Sequence, residues 1–234
     1  MTMDAIRKIY AELLECYGPQ GWWPLLDHKG ANPTKSGYID GYHPGDYSFP
    51  KTDAQKFEIC LGAILTQNTS WTAVEKALTN LKRSNGLGID GINMLSDGKL
   101  KECIKPAGHY NQKAKYIREF TIFFMGLRGR TPSREELLHV RGIGPETADS
   151  ILLYAFSVPS FVVDAYTRRI LTSLGLAGKK AAYDEIKQLF EDSLERDHRI
   201  YQEYHALLVE HAKRCYVKKD SHSSCPLKVL MKKL

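Results

Sequence analysis

The chain has 234 residues, enough for one large domain or two small domains with real cores. Its net charge of +6 and pI near 8.9 suit a polyanionic partner without requiring one. The five cysteines are odd in number and widely spaced, and the sequence has no signal peptide and no long apolar run. These features exclude a disulfide scaffold and a membrane-spanning protein, and they predict a reducing, cytoplasmic setting.

The N-terminal segment opens with an amphipathic pattern. Apolar side chains at three- and four-residue spacing predict a helix over residues 3–17. Shortly after it, Trp22 and Trp23 stand side by side and are followed by Pro24. Adjacent side chains point in different directions, so at least one indole is expected outside the local core. The pair either anchors domain packing or forms a flat aromatic wall.

A long loop is predicted over residues 27–53. This stretch is rich in glycine, proline and polar aromatic residues and shows no helical period. Loops of this length inside compact domains are usually functional or disordered. We expect it to pack partly, through its tyrosines and Phe49, beside the tryptophan pair.

The rest of the chain shows helical periodicity and no convincing alternation, which predicts an all-α fold of two lobes. The first lobe is predicted to contain six helices, at about 54–67, 70–83, 92–104, 111–127, 133–140 and 145–156. The second is predicted to contain the helix that starts at Asp164, the helices at about 180–195 and 199–215, and the N-terminal helix.

A tight helix-hairpin-helix is predicted at 134–156, where Gly142 and Gly144 bracket Ile143. Both glycines are expected to adopt backbone conformations that side chains forbid, which leaves N–H groups of the turn free to face an anion. Ile143 is expected to fill the space between the two helices. The backbone phosphates of nucleic acid are the extended anion that such a site fits best. An ordinary helical hairpin with a glycine turn has the same Gly-x-Gly pattern.

The pattern Val-x-Gly-Ile-Gly-x-x-Thr-Ala, followed by Val-Val-Asp164, resembles the hairpin and catalytic aspartate of the endonuclease III-like helix-hairpin-helix DNA glycosylases. The resemblance extends to residues 63–69, similar to that family's DNA-probing loop, and to residues 108–114, similar to one of its helix starts. It implies a six-helix domain at 54–159 inserted into a discontinuous domain formed by 1–53 and 160–234. The active site would lie in the cleft between them, and a monomer would act on double-stranded DNA.

The resemblance implies that Asp164 is the catalytic carboxylate. Cleaving the bond between a base and its deoxyribose builds oxocarbenium character on the sugar, and a fixed carboxylate stabilises that charge and orients the attacking water. Asp164 also stands where a helix begins, so a capping role is the alternative.

The same resemblance assigns DNA contacts to several residues. Gln67 or Asn68 is expected to fill the gap that a flipped nucleotide leaves, with a helix C-cap as the alternative. The remaining expected contacts to phosphate are Arg141, Gly142, Ile143, Gly144 and Lys113. Both cations could equally be solvated surface charges. Backbone carbonyls of the hairpin are implied to hold a potassium or sodium ion.

Two features of the family are missing. Glu146 stands where members that also cleave the strand carry a nucleophilic lysine, so no lyase activity is expected. The places of the four cluster-binding cysteines hold Cys215, His222, Cys225 and, nearby, Met231, which is a poor set for an iron–sulfur cluster. No cofactor is therefore expected, although zinc on the two cysteines, His222 and His211 stays open.

The tryptophans narrow the expected substrate. Trp22, Trp23, Pro24 and Trp71, together with the missing lysine, resemble the 3-methyladenine DNA glycosylases of this superfamily, in which aromatic residues sandwich the extruded base. A cationic alkylated purine is already a good leaving group and is attracted to an indole face. The alternatives are a glycosylase for other damaged or mismatched bases and a non-catalytic DNA-binding protein.

Overall fold

A computed structural model describes residues 2–34, 37–216 and 225–231, and within these residues the chain is helical without a strand, which confirms the all-α fold. The α-helices are α1 (Thr2–Tyr17), α2 (Asp53–Leu65), α3 (Trp71–Arg83), α4 (Ile89–Met94), α5 (Asp97–Ile104), α6 (Tyr110–Leu127), α7 (Arg134–His139), α8 (Pro145–Ser150), α9 (Ala165–Ser173), α10 (Tyr183–Ser193), α11 (His198–Cys215) and α12 (Pro226–Met231). A 3-10 turn spans Lys105–Ala107, and Ile151–Ala155 continues α8 as π-helix.

Local capping explains where the helices differ from the prediction. The helix expected at 92–104 is two helices, because Leu95 is extended (φ −65°, ψ 136°) and the Ser96 side chain accepts the N–H of Lys99 to start α5. Ser133 and Glu136 form a reciprocal capping box at the start of α7. The short helix α12 was not predicted.

The core lies around α2, which is buried from Phe57 to Leu65 and packs against α3, α6, α8 and the π-helical segment. A second cluster forms where α1 packs against α10, α11 and α12. There Phe161 stacks on Phe190 with ring centroids 3.9 Å apart. The helix α11 contacts the π-helical segment and thereby joins the two clusters. Among the described residues no helix is long and apolar enough to cross a membrane.

The predicted loop is confirmed at its described residues, 27–34 and 37–52, and polar contacts hold it and the residue before it against the helices. The N–H of Leu26 donates to Oε1 of Glu58 in α2 at 2.7 Å. The His43 ring lies 3.0 Å from the carbonyl of Trp23 and packs against Phe49, and Tyr42 meets Trp22 edge-on. The loop therefore packs against the tryptophan pair and supports it.

Candidate active site

A cleft of about 720 Å³ opens among α2, α3, α8, α9, α11 and the segment before the loop. Its lining combines aromatic and ionisable side chains, among them Trp22, Trp71, Glu146, Asp164, His205 and Lys213. A large concave site with a few convergent polar groups is the usual form of a ligand-binding site.

Three indoles form the aromatic wall of this cleft. The Trp22 ring lies 4.9 Å from that of Trp71, and the Trp23 ring meets Trp71 edge-on at 5.3 Å. Trp23 and Trp71 are buried, whereas Trp22 is partly exposed, so Trp22 offers the most accessible face. The structure thus brings together the tryptophans that the sequence singled out. Pro24 is buried and does not line the cleft, so its predicted contact with a base finds no support here.

Asp164 both caps a helix and faces the cleft. Its Oδ1 accepts the N–H of Thr167 at 2.7 Å as the N-cap of α9, while Oδ2 lies 3.7 Å from Nε2 of His205. Burial by itself would raise the pKa of Asp164, but the contacts with His205 and Thr167 outweigh burial and hold that pKa below its usual value. The carboxylate therefore stays ionised at neutral pH, and one of its oxygens remains available to a reacting group.

His205 is a site residue that the sequence analysis missed. It lies on α11, and its Nδ1 is 2.7 Å from the hydroxyl of the buried Tyr154. That contact orients the ring so that Nε2 faces Asp164. No motif marks a histidine so far along the chain, and only the packing of α11 against the π-helical segment brings it here.

Glu146 lines the same cleft at the start of α8. Partial burial raises the pKa of the Glu146 carboxyl, and the negative charge of Asp164 raises it further, whereas His205 lowers it. Because the residue remains exposed, solvent screens part of this effect. Two acidic groups with pKa values shifted in opposite directions therefore share one cleft.

The hairpin follows the predicted geometry at two of its three positions. Gly142 has φ +85°, and a Cβ there would lie 2.3 Å from the ring of Tyr116. Ile143 is 5% exposed between the helices, as predicted. Gly144 has an ordinary extended backbone (φ −92°, ψ 177°) with no atom within 4 Å of an added Cβ. The expectation of a forbidden conformation at Gly144 is therefore wrong.

A buried ion-pair network holds the hairpin in place. Asp149 on α8 is fully buried and accepts Nε of Arg134 at 2.9 Å and the hydroxyl of Ser160 at 2.6 Å. Nζ of Lys187 on α10 lies 3.5 Å away. Both hairpin helices are thus tied to the chain that leads into Asp164, so the hairpin turn and the carboxylate share one support.

The loop after α2 is attached to the hairpin. Nε2 of Gln67 donates to the carbonyl of Gly142 at 2.8 Å and to the hydroxyl of Thr147 at 3.0 Å. Asn68 is exposed and has φ +52°, a conformation that asparagine tolerates better than most residues. Gln67 is therefore engaged within the protein, and Asn68 is the exposed side chain at the tip of the loop.

Lys113 does not lie at the surface, so its predicted phosphate contact is wrong. The residue is 2% exposed, and its Nζ donates to the carbonyls of Leu65, Gln67 and Ala107 at 2.7 to 2.9 Å. An ammonium enclosed by three carbonyls closes the end of α2 and stabilises the start of the loop that follows it. Arg141, by contrast, is exposed, with its guanidinium 3.7 Å from Glu119.

Known proteins resemble this chain in sequence. The family model described as HhH-GPD superfamily base excision DNA repair protein matches residues 61–196, more than half of the chain. The chain belongs to this superfamily. A candidate DNA repair glycosylase of Methanocaldococcus jannaschii is 43% identical over 96% of this chain and 94% of its own length. Endonuclease III-like protein 1 of Gallus gallus is 30% identical over 82% of this chain and 69% of its own length.

Solved structures of HhH-GPD relatives share the fold. The Helicobacter pylori 3-methyladenine DNA glycosylase bound to 1,N6-ethenoadenine matches with a TM-score of 0.67 and 29% identity over 91% of this chain and 97% of that chain. An endonuclease III–DNA complex matches with a TM-score of 0.74 and 20% identity over 100% of this chain and 98% of that chain, a likeness of fold. The chain is thus a base excision DNA glycosylase of the HhH-GPD superfamily.

The iron–sulfur cluster of many HhH-GPD enzymes does not fit the residues present. Of the four positions, Cys215 and Cys225 offer thiolates, Met231 offers only a thioether, and His222 lies outside the described residues. Two thiolates are too few for a four-iron cluster. The potassium or sodium ion predicted at the hairpin stays a prediction. The carbonyl of Gly142 already accepts a hydrogen bond from Gln67.

Proposed function

We propose that this HhH-GPD protein is a monofunctional DNA glycosylase that excises alkylated purines of the 3-methyladenine type from double-stranded DNA. One observation carries the proposal: three tryptophans converge on a cleft that also holds an ionised aspartate. Stacking on an indole attracts a cationic base more than a neutral one. The name of the Helicobacter pylori relative, a 3-methyladenine DNA glycosylase, supports the same substrate class.

In the proposed reaction, backbone groups hold the DNA phosphates, and side chains act on the flipped nucleotide. The N–H groups around Gly142 hold phosphate without reading sequence, and Asn68 enters the space that the flipped nucleotide leaves. The flipped base stacks on the exposed face of Trp22. As the N-glycosidic bond breaks, the base departs with the bonding electrons, and Asp164 stabilises the positive charge that develops at C1′. Water then adds to C1′, directed by the free oxygen of Asp164, and its proton passes through that carboxylate to solvent, which leaves a neutral hydroxyl on the sugar.

Glu146 supports the absence of strand cleavage. A carboxyl at the start of α8 cannot form the imine through which lyases proceed, and it lines the cleft where such a nucleophile would act. Borohydride should therefore trap no covalent complex with a DNA substrate. A borohydride-stable adduct, located by mass spectrometry on a lysine of the cleft, would contradict the proposal.

A second candidate, excision of a neutral damaged base, has its own supporting observation. Nζ of Lys213 lies 5.8 Å from the centre of the Trp22 ring, where a cationic base would experience repulsion from an ammonium. Burial lowers the pKa of Lys213 below its ordinary value. The two candidates differ in the charge of the base, and that charge is what an experiment must vary.

A panel of duplexes separates these candidates. We expect rapid release of 3-methyladenine from methylated DNA and slow release of uracil, oxidised pyrimidines or mismatched thymine, followed by chromatography of the free base. Faster release of any neutral base would assign the second candidate. Binding without release of any base would mean that the protein is a non-catalytic DNA-binding protein. Sedimentation of the complex would test the predicted monomer.

A further inference from the structure

A buried cluster of metal-ligating side chains lies apart from the catalytic cleft. His211 and Cys215 are one turn apart on α11, and Cys225 directly precedes α12. One donor atom from each residue lies within 4.8 Å of the other two, and their residues are 0%, 9% and 0% exposed. None of the three takes part in the proposed base excision.

The spacing matches that around a tetrahedral ion. Nε2 of His211 lies 3.4 Å from Sγ of Cys225. In a tetrahedral zinc site, Zn–N of about 2.0 Å and Zn–S of about 2.3 Å place these two atoms about 3.5 Å apart. The i and i+4 positions on one helix face turn both side chains of α11 toward the same point. A small ion therefore requires little rearrangement of these residues.

The imidazole is already held in the orientation that a ligand needs. Nδ1 of His211 lies 2.9 Å from the hydroxyl of Tyr17, at the end of α1. Metal-bound histidines commonly use their second nitrogen in such a hydrogen bond, which fixes the ring and the tautomer. The guanidinium of Arg214 lies over the Tyr17 ring, 4.6 Å from its centre.

We propose that His211, Cys215 and Cys225 bind one zinc ion, which ties α12 to α1 and α11. Two thiolates and an imidazole are a donor set that selects zinc over magnesium or calcium, and they leave the fourth tetrahedral position to a further donor. The ion is structural, and it would stiffen the end of the helix that carries His205 and Lys213 into the cleft. The proposal does not depend on the substrate of the enzyme.

Metal analysis of the full chain tests the site directly. Protein grown with zinc should contain close to one zinc per chain, and Cys225→Ala and His211→Ala should each lose at least nine-tenths of it. Cys103→Ala is the matched control, because Cys103 is equally buried but lies on α5, away from the cluster. Its zinc content should equal that of the unchanged protein.

Cobalt keeps the test decisive if a variant fails to fold. The unchanged chain, stripped by a chelator and titrated with Co²⁺, should develop the visible absorption of tetrahedral cobalt and a thiolate charge-transfer band at one equivalent. Two of the five cysteines should then become protected from a thiol reagent. Melting temperature should fall on stripping and recover with Zn²⁺.

Three results would overturn the proposal. The first is protein without zinc that gives no cobalt spectrum. The second is iron with inorganic sulfide in place of zinc. The third is a Cys215–Cys225 disulfide in freshly purified protein, detected as a mass two hydrogens lower.

Discussion

The hairpin and the aromatic cleft differ in how they are built and in the role proposed for each. The hairpin is contiguous: Gly142 supplies a turn that side chains would block, and Ile143 plugs it locally. The cleft draws Trp22, Trp71 and Asp164 from separate segments. In the proposed function, a backbone contact with phosphate needs no particular side chain at the turn, whereas base selection and charge stabilisation need specific side chains. The hairpin should therefore respond to changes of shape, and the cleft to changes of charge and aromatic surface.

The largest effect is expected from Asp164→Asn. Asparagine keeps an oxygen for the N–H of Thr167, so the cap and the fold should persist while the charge is lost. Single-turnover base release should fall by about 10³-fold, a loss of about 4 kcal/mol of transition-state stabilisation, with DNA affinity nearly unchanged.

The matched control is Asp197→Asn. Asp197 caps α11 in the same way, through the N–H of Arg199, but lies outside the cleft lining. Its base release should match that of the unchanged enzyme. If Asp164→Asn kept activity within tenfold of that of the unchanged enzyme, Asp164 would act only as a helix cap. The cleft would then not depend on this charge.

The next effect is expected at the hairpin. Gly142→Ala places a Cβ against Tyr116 at positive φ, which should lower the free energy of unfolding by at least about 1 kcal/mol. Affinity for damaged and undamaged duplexes should fall alike, by about tenfold, because a backbone contact to phosphate is disturbed. Fluorescence anisotropy with both duplexes measures this.

Gly144→Ala is the companion change in the same turn. Its backbone is ordinary and the space around it is open, so the melting temperature should not change. Weaker DNA binding by this variant would show that phosphate approaches Gly144 closely. If either variant lost affinity only for damaged DNA, the hairpin would form part of the base pocket, and its role would no longer differ from that of the cleft.

A smaller effect is expected for Trp22→Leu. Removal of the exposed indole should lower kcat/KM for a cationic base about 2- to 30-fold more than for a neutral base, the range of a cation–π contribution of roughly 0.5–2 kcal/mol. Trp71→Phe is the companion variant, because Trp71 is buried and its loss reports on packing. Equal losses for charged and neutral bases would mean that Trp22 only shapes the cleft.

The smallest effect on activity is expected from Glu58, which supports the aromatic wall and whose change alters stability instead. Burial raises the pKa of Glu58 to about 7, although the N–H of Leu26 opposes the shift. Between pH 4.5 and about 7 the unfolded chain releases this proton while the folded chain keeps it, so stability falls as pH rises through that window. Glu58→Gln should remove this loss and raise stability at pH 8 by about 1–3 kcal/mol, with little change at pH 4.

Denaturant titration at both pH values measures the Glu58 effect. Glu15→Gln, an exposed change on α1, is the control and should leave the pH dependence intact. The same pH slope in Glu58→Gln and in the unchanged chain would show that the Glu58 carboxyl is ionised in the folded protein.

Much of the local structure could be read from the chain itself. Apolar spacing predicted most helices, glycine and proline predicted the long loop, and Gly-Ile-Gly with Asp164 predicted the hairpin and the carboxylate. These are short-range properties: a helical stripe, a cap or a turn depends on residues a few positions apart. The prediction missed the break at Leu95, where a serine cap competes with a continuing apolar pattern.

Tertiary packing decided the remaining roles. Lys113 reads as a phosphate contact but is enclosed by three carbonyls, and His205 carries no motif but faces Asp164. Cys225 joins His211 and Cys215 only because α12 returns to α1. Residue types and local periodicity therefore determined the elements and the candidate chemistry of this protein. The partners of each polar group depended on which helices pack together, because burial and long-range contacts are properties of the folded chain.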